Sequence, residues 1–371
     1  MLALITVPLL VGGFAPFAGQ QAAQSEGFSR RAMLENLAYE VILPLHEAFF
    51  EQTETLRAAV YDFISAPMLE TLDSLQDAWR AESLLWHRVR LFKVGRLTFV
   101  YHSRIANNAP IATAIIDDFI NGKALIEPNA IGVYGSNVVG LRTIEYLIFD
   151  PVGGNDAVLA KFADDPAAMY RAQYLLLTVE DLHTTVGELL HMWSPEGLNY
   201  AGQFVEDDDP SSVQESISML VNEMVASLEA TVNMTIGWAL GTQAGGEVQP
   251  QIVEARYSGY SIPQLISFFE MLRDTFKGQR PEGDGLGFDD YLDFLGAEYG
   301  DLSLSDAISA QIDVVLGALA AIDEPLETAL LNQPERVQRV YDEGRRLVVL
   351  MKADMVSRLG ITITFNDSDG D

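Results

Sequence analysis

Apolar residues recur every three to four positions through long stretches of this chain, the spacing that keeps one face of an α-helix against a core. From Ala32 to Ile64 the stripe runs through Leu34, Leu37, Val41, Leu45 and Phe49, with Pro44 as a potential kink. From Leu69 to Phe99 it continues through Leu72, Leu75, Trp79 and Trp86. Shorter helices are predicted at Ile111 to Gly122 and Asn137 to Phe149. A long one follows at Pro166 to Met192, striped by Leu175, Leu182, Val186 and Leu189. Four more are predicted at Val213 to Leu240, Ile262 to Lys277, Leu304 to Ala321 and Pro334 to Leu359, with loops at Gly241 to Pro250 and Gly278 to Gly287. No stretch alternates convincingly with the period of a strand, so the chain reads as all-α. The segment Ser194 to Ser212 combines Gly197, Gly202 and the acidic run Glu206 to Asp209 before Pro210, the composition of a boundary. It divides the helices into residues 26–205 and 206–371.

The first 25 residues follow a different pattern. Leu2 to Phe17 is almost continuously apolar and gives way to the small and polar stretch Ala18 to Gln24, which resembles a secretory signal peptide with its processing region. No Lys or Arg precedes Arg30, so the basic start expected of such a signal is missing. An uncleaved anchor is the alternative, but an apolar run of about 17 residues broken by Pro8, Gly12, Gly13 and Pro16 is short for a bilayer span. Export with cleavage is the expectation.

Charge narrows the partners. Against 53 acidic side chains stand 23 basic ones, a formal charge of −30 over 371 residues. Such a surface repels phosphate backbones and anionic lipid, which argues against nucleic acid as a partner. With no cysteine, disulfides, thiolate metal ligands and thiol nucleophiles are impossible. No Gly-x-Ser-x-Gly elbow is present, and the glycines of 278–287 lack the Gly-Lys-Ser/Thr ending of a phosphate loop.

Gly140 to Phe149 concentrates candidate chemistry. Leu141, Ile144 and Ile148 supply an apolar face, Ser136 and Asn137 are candidate N-caps, and Asp150-Pro151 stops the helix. Arg142 and Glu145 lie three residues apart on one face, placed to pair with each other or to present a charged patch to a ligand.

Glu180-x-x-His183 and Glu188-x-x-His191 repeat the spacing of carboxylate-bridged metal bundles, but both copies fall on one predicted helix, about 12 Å apart at 1.5 Å per residue. They cannot share a metal pair, and surface pairing is the simpler reading. His46, His87 and His102 are scattered. Trp79, Trp86, Trp193 and Trp238 read as core, and the tail Asp367 to Asp371 as a solvated acidic end that stops before a calcium loop could be completed.

Several segments, in order, resemble one family. Asn36-Leu37-Ala38-Tyr39 with Val41, Pro44 and Phe49-Phe50 resembles its first helix, and Ala78-Trp79 with Phe92-Lys93-Val94-Gly95 the region before its first loop. Gly140-Leu141-Arg142-Thr143-Ile144-Glu145 resembles its Gly-x-His-x-x-Glu signature with arginine in the histidine position. Glu254 to Ser258 with Ser261, Gly285-Leu286 with Tyr291-Leu292, and Leu359-Gly360 through Phe365-Asn366 to Asp371 resemble segments of its second half. The chain is thus similar to the imelysin-like family, formerly classed as peptidase M75.

The resemblance implies two four-helix-bundle halves, export to the periplasm, a functional cleft where the halves meet, and a role in iron uptake. The implied site draws on Gly140, Arg142, Glu145, Arg90, Tyr257 and Ser258, with Glu145 the candidate metal ligand. Arg90 stands where the family usually carries a glutamate. Arginine has no lone pair to offer a cation, so two arginines favour a carboxylate, a phosphate or a metal chelate over bare iron. The expectation is a small ligand or iron chelate bound at the interface, with peripheral association to a membrane iron-transport system. The rivals are an M75-type metallopeptidase, weakened by Arg142, and a protein-interaction module with a vestigial cleft.

Overall fold

The computed structural model describes residues 27–94, 103–106, 111–122, 131, 135–205 and 210–364, the side chains of 210–213 excepted. The apolar leader, His102, the predicted helix end at Phe99, the acidic run 206–209 and the acidic tail lie outside the described residues.

The architecture is all-α, with a two-residue antiparallel hairpin, β1 (Glu298–Tyr299) and β2 (Leu302–Ser303), as its one sheet among the described residues. The first stripe forms a continuous rod: α1 (Arg30–Glu35), a π-helical stretch Asn36–Ile42, then α2 (Leu43–Ser65). Ser29 starts it by accepting from the amide of Ala32 at 3.1 Å. Pro44 breaks nothing, because it sits in the first turn of α2, where a missing N–H is tolerated and the π-helical turns before it are already wider.

The rod packs on α3 (Leu69–Val89), which ends in the single turn Arg90–Phe92. After α4 (Thr113–Asn121), α5 (Leu141–Ile148) and α6 (Gly154–Ala163), the long α7 (Ala168–Trp193) covers the other side of α2. The predicted loop 194–212 is only partly a loop. It holds α8 (Tyr200–Val205) and the start of α9 (Pro210–Glu229), the latter prolonged by π-helical turns to Gly237.

In the later half α10 (Ser261–Phe276) packs on α12 (Leu304–Ala320), and α12 on α14 (Pro334–Val349). The short α11 (Phe288–Phe294), α13 (Leu326–Asn332) and α15 (Val356–Arg358) fill in between. Helix α10 also lies along α3, where Ser267 Oγ donates to Leu84 O at 3.0 Å and Arg88 pairs with Asp274 at 3.0 Å. One contiguous apolar core runs through both sets of helices. Trp79, Trp86 and Trp193 belong to it, whereas Trp238 is 37% exposed and is not the core residue its helical position predicts. Among the described residues no helix is long and apolar enough to cross a membrane.

Candidate functional site

The cleft is built on α5, a helix held at both ends. Trp79 Nε1 donates to Leu141 O at 2.8 Å, Gln76 Nε2 donates to Ile148 O at 2.8 Å, and Tyr174 OH donates to Val138 O at 2.9 Å just upstream. The N-cap is Gly140, not Ser136 or Asn137. Its φ of +81° is open to glycine at little strain, and a Cβ there would collide with the carbonyl oxygens of Arg104 and Ile105. The helix therefore starts at Leu141, later than predicted, because the chain must pass close against 104–105 before it winds. Six of its eight residues are buried, and Arg142 and Tyr146 are half-buried.

What faces α5 is the segment Glu254–Ser258 from the later half. Ala255 sits at φ +55°, a conformation uncommon for a residue with a Cβ, and the bend it makes presents consecutive backbone amides. Tyr257 N and Ser258 N donate to Glu145 Oε1 at 2.9 and 2.8 Å, and Ser258 Oγ lies 2.9 Å from the same oxygen. Glu145 is 2% exposed. Burial drives its carboxyl up to about 7, against the pull of Ser258, Arg142 and Tyr257 in the other direction.

Glu254 is the mirror case. Its side chain is 10% exposed, and three cationic or ionisable side chains close on it. Arg142 Nη2 is 3.0 Å and His87 Nε2 3.7 Å from Oε1, and Arg90 Nη1 is 3.6 Å from Oε2. Burial pushes this carboxyl up, but Arg142, His87 and Arg90 outweigh it and hold Glu254 well below the usual carboxylate range. Arg90 is buried, its Cζ 5.6 Å above the Phe268 ring, and desolvation lowers its pKa.

The structure therefore brings Arg90, Arg142, Glu145, Tyr257 and Ser258 to one place, with Gly140 setting the helix that carries two of them. It adds three participants that sequence reasoning passed over: Glu254, His87 and Arg256. The signal for Glu254 and Arg256 was their place in the same quoted segment as Tyr257-Ser258; nothing in the sequence marked His87. Arg256 Nη2 donates to Tyr257 OH at 2.6 Å with its guanidinium over that ring. Tyr257 in turn meets Tyr146 edge-on at 5.2 Å, and Tyr146 OH donates to Asp117 at 2.7 Å.

Between them lies a narrow cleft with about 40 Å³ of water-accessible space, lined by Arg142, Glu145, Glu254, Arg256 and Tyr257 with Ile111 at its edge. That is room for ordered water or a carboxylate-sized group.

A metal ion fits these residues poorly. Two guanidiniums without lone pairs already occupy Glu254, and among the described residues no three His, Asp or Glu side chains converge for a metal. The Glu-x-x-His pairs on α7 are dispersed as well. Glu180 accepts from Arg57 at 2.7 Å and from Tyr61 at 2.8 Å, His183 lies 3.8 Å from Glu54, and Glu188 and His191 are exposed.

An all-α chain with a polar cleft between its earlier and later helices is the class that fold and site define. The imelysin family profile, peptidase M75, matches residues 42–349, and the chain belongs to that family. Its fold is that of an imelysin-like protein from Psychrobacter arcticum 273-4, with a TM-score of 0.69 and 17% identity over 91% of this chain and 97% of that one. It is also that of a Parabacteroides distasonis ATCC 8503 protein described as an iron-regulated protein A precursor, with a TM-score of 0.71, 17% identity and the same coverage. Comparison with curated proteins finds no match.

Proposed function

We propose that this chain is an exported, non-hydrolytic component of iron acquisition that holds a carboxylate-bearing ligand in the cleft between two helical bundles dividing at residues 205/206. The observation that carries the reading is that Arg142 and Arg256 line one cleft with Glu145, whose carboxyl burial drives up to about 7. Guanidinium matches a carboxylate in shape as well as charge, and a protonated Glu145 removes one of the two repulsions in the cleft and adds a donor. About 40 Å³ admits one carboxylate group, so citrate, free or chelating iron, inserts a single arm.

Export is supported by the apolar run Leu2 to Phe17 and by the description of the Parabacteroides protein as a precursor. The link to iron rests on that protein's description as iron-regulated. In the periplasm such a binder would pass its ligand to a membrane iron-transport system. A metallopeptidase draws no support from this donor set, because the position of the signature histidine is held by Arg142.

Calorimetry of the mature protein against citrate, ferric citrate, Fe(II), Fe(III) and Zn(II) tests the reading, with Arg142→Ala and Arg256→Ala alongside. The expected result is binding of citrate, free or ferric, that weakens at least about tenfold in Arg256→Ala. Free citrate alone would identify a small acid as the ligand, and ferric citrate alone a chelate. Binding of the bare ions through Glu145 overturns the proposal. So does the absence of any binding, which leaves an interaction module.

A further inference from the structure

We infer that the guanidinium of Arg142 stands where a metal cation would stand, as a counter-ion of Glu254 built into the chain, and that it makes the cleft selective against divalent cations. The inference holds whether or not a carboxylate enters the cleft, since it concerns only what Glu254 already binds.

Three observations support it. Arg142 reaches Glu254 Oε1 with two nitrogens, Nη2 at 3.0 Å and Nε at 3.4 Å, a directed contact made in a site largely closed to water. His87 Nε2 lies 3.7 Å from that same oxygen, so an imidazole and a carboxylate already flank the point the guanidinium fills. Arg90 engages the other oxygen, Oε2, at 3.6 Å, so Oε1 is the one that Arg142 and His87 share.

On Glu254 Oε1, position 142 offers a guanidinium where a metal would need a lone-pair donor in its reach. Arg142→Gln would remove the charge and supply only a weak amide oxygen. Arg142→His would remove the charge and complete two imidazoles and a carboxylate, a donor set suited to zinc with a position left open.

The experiment is calorimetry with Zn(II) in excess magnesium, which occupies the acidic surface. Wild type is expected to show no saturable site. Arg142→His is expected to bind one Zn(II) per chain, at least about tenfold tighter than any wild-type association, and to lose it again when Glu254→Gln is added. A saturable wild-type zinc site overturns the inference, as does an unchanged isotherm in an Arg142→His protein with native circular dichroism.

Arg142→Ala gives an independent readout if Arg142→His does not fold. Millimolar guanidinium ion is expected to refill the vacated space and raise the thermal midpoint of Arg142→Ala saturably, with no such rise in wild type. A midpoint that responds to guanidinium equally in both proteins overturns the inference.

Discussion

Glu254, at the seam between the earlier and later helices, and Glu82, inside the earlier set, are both carboxyls largely withdrawn from water, and folding moves their pKa values in opposite directions. Around Glu254 three elements deliver partners: the guanidiniums of Arg142 from α5 and of Arg90 from the turn after α3, and the imidazole of His87 from α3. Around Glu82, which is 0% exposed, no guanidinium or imidazole pairs with it among the described residues. Thr53 Oγ1 lies 2.5 Å from Glu82 Oε1 and 2.8 Å from Phe49 O, and its single hydrogen can serve only one of them. A neutral Glu82 supplies the second hydrogen, in keeping with a carboxyl that burial pushes well above its ordinary value.

His46 belongs with Glu82. Its Nδ1 meets Ile42 O at 2.8 Å, its Nε2 has no hydrogen-bond partner among the described residues, and burial lowers its pKa to about 4. Burial by itself neutralises an ionisable group; only convergent opposite charge keeps one ionised out of water.

The contrast breaks most severely at Glu254. Glu254→Gln leaves two nearly buried guanidiniums without their carboxylate and is expected to cost about 3–5 kcal/mol, the range for removing one member of a buried pair. Urea denaturation measures it, and a loss within the error of the extrapolation would mean that the seam charges are solvated after all.

Glu145 sharpens the contrast through pH. Its carboxyl rises from 4.5 to about 7 on folding, so its contribution to stability is complete below about pH 4.5 and is lost as pH climbs through about 7. The loss is on the order of 3 kcal/mol. Glu254 has the opposite sign: its folded value is depressed, so its contribution is present above 4.5 and disappears as pH falls through the lowered value. Glu145→Gln keeps an acceptor for Tyr257 and Ser258 but binds no proton. Unfolding free energies at about pH 5 and about pH 8 should therefore lie closer together in the variant than in wild type; an identical pH slope would contradict the assignment.

The smallest effect is expected inside the earlier set of helices. Glu82→Gln replaces a neutral acid with a neutral amide of the same shape that can still donate to Thr53. Its stability should stay within about 1 kcal/mol of wild type near pH 5, by the same denaturation series. A loss as large as that of Glu254→Gln would show that Glu82 is ionised and paired.

Much of the fold is legible in the one-dimensional pattern. The long stripes 32–64, 166–192 and 262–277 become helices within a few residues, because burying one face of a long helix is enough to select it. The short α6, α8, α11 and α13 escape detection, since six to ten residues carry too little periodicity to stand out from a loop. The cap of α5 escapes for another reason. Gly140 is needed by its approach to Arg104 and Ile105, a contact invisible along the chain, while Ser136 and Asn137 satisfy the local rule for a cap and do not serve as one.

Periodicity and charge were thus enough to determine an all-α chain, an anionic surface and an α5 that carries Arg142 and Glu145 side by side. Local spacing settles these because helix geometry acts over three or four residues. The partners of those two side chains were decided only by the tertiary structure. Glu254 and the amides of Tyr257 and Ser258 come from more than a hundred residues away, and whether a buried charge is stabilised or extinguished depends on what folding brings within about 4 Å of it.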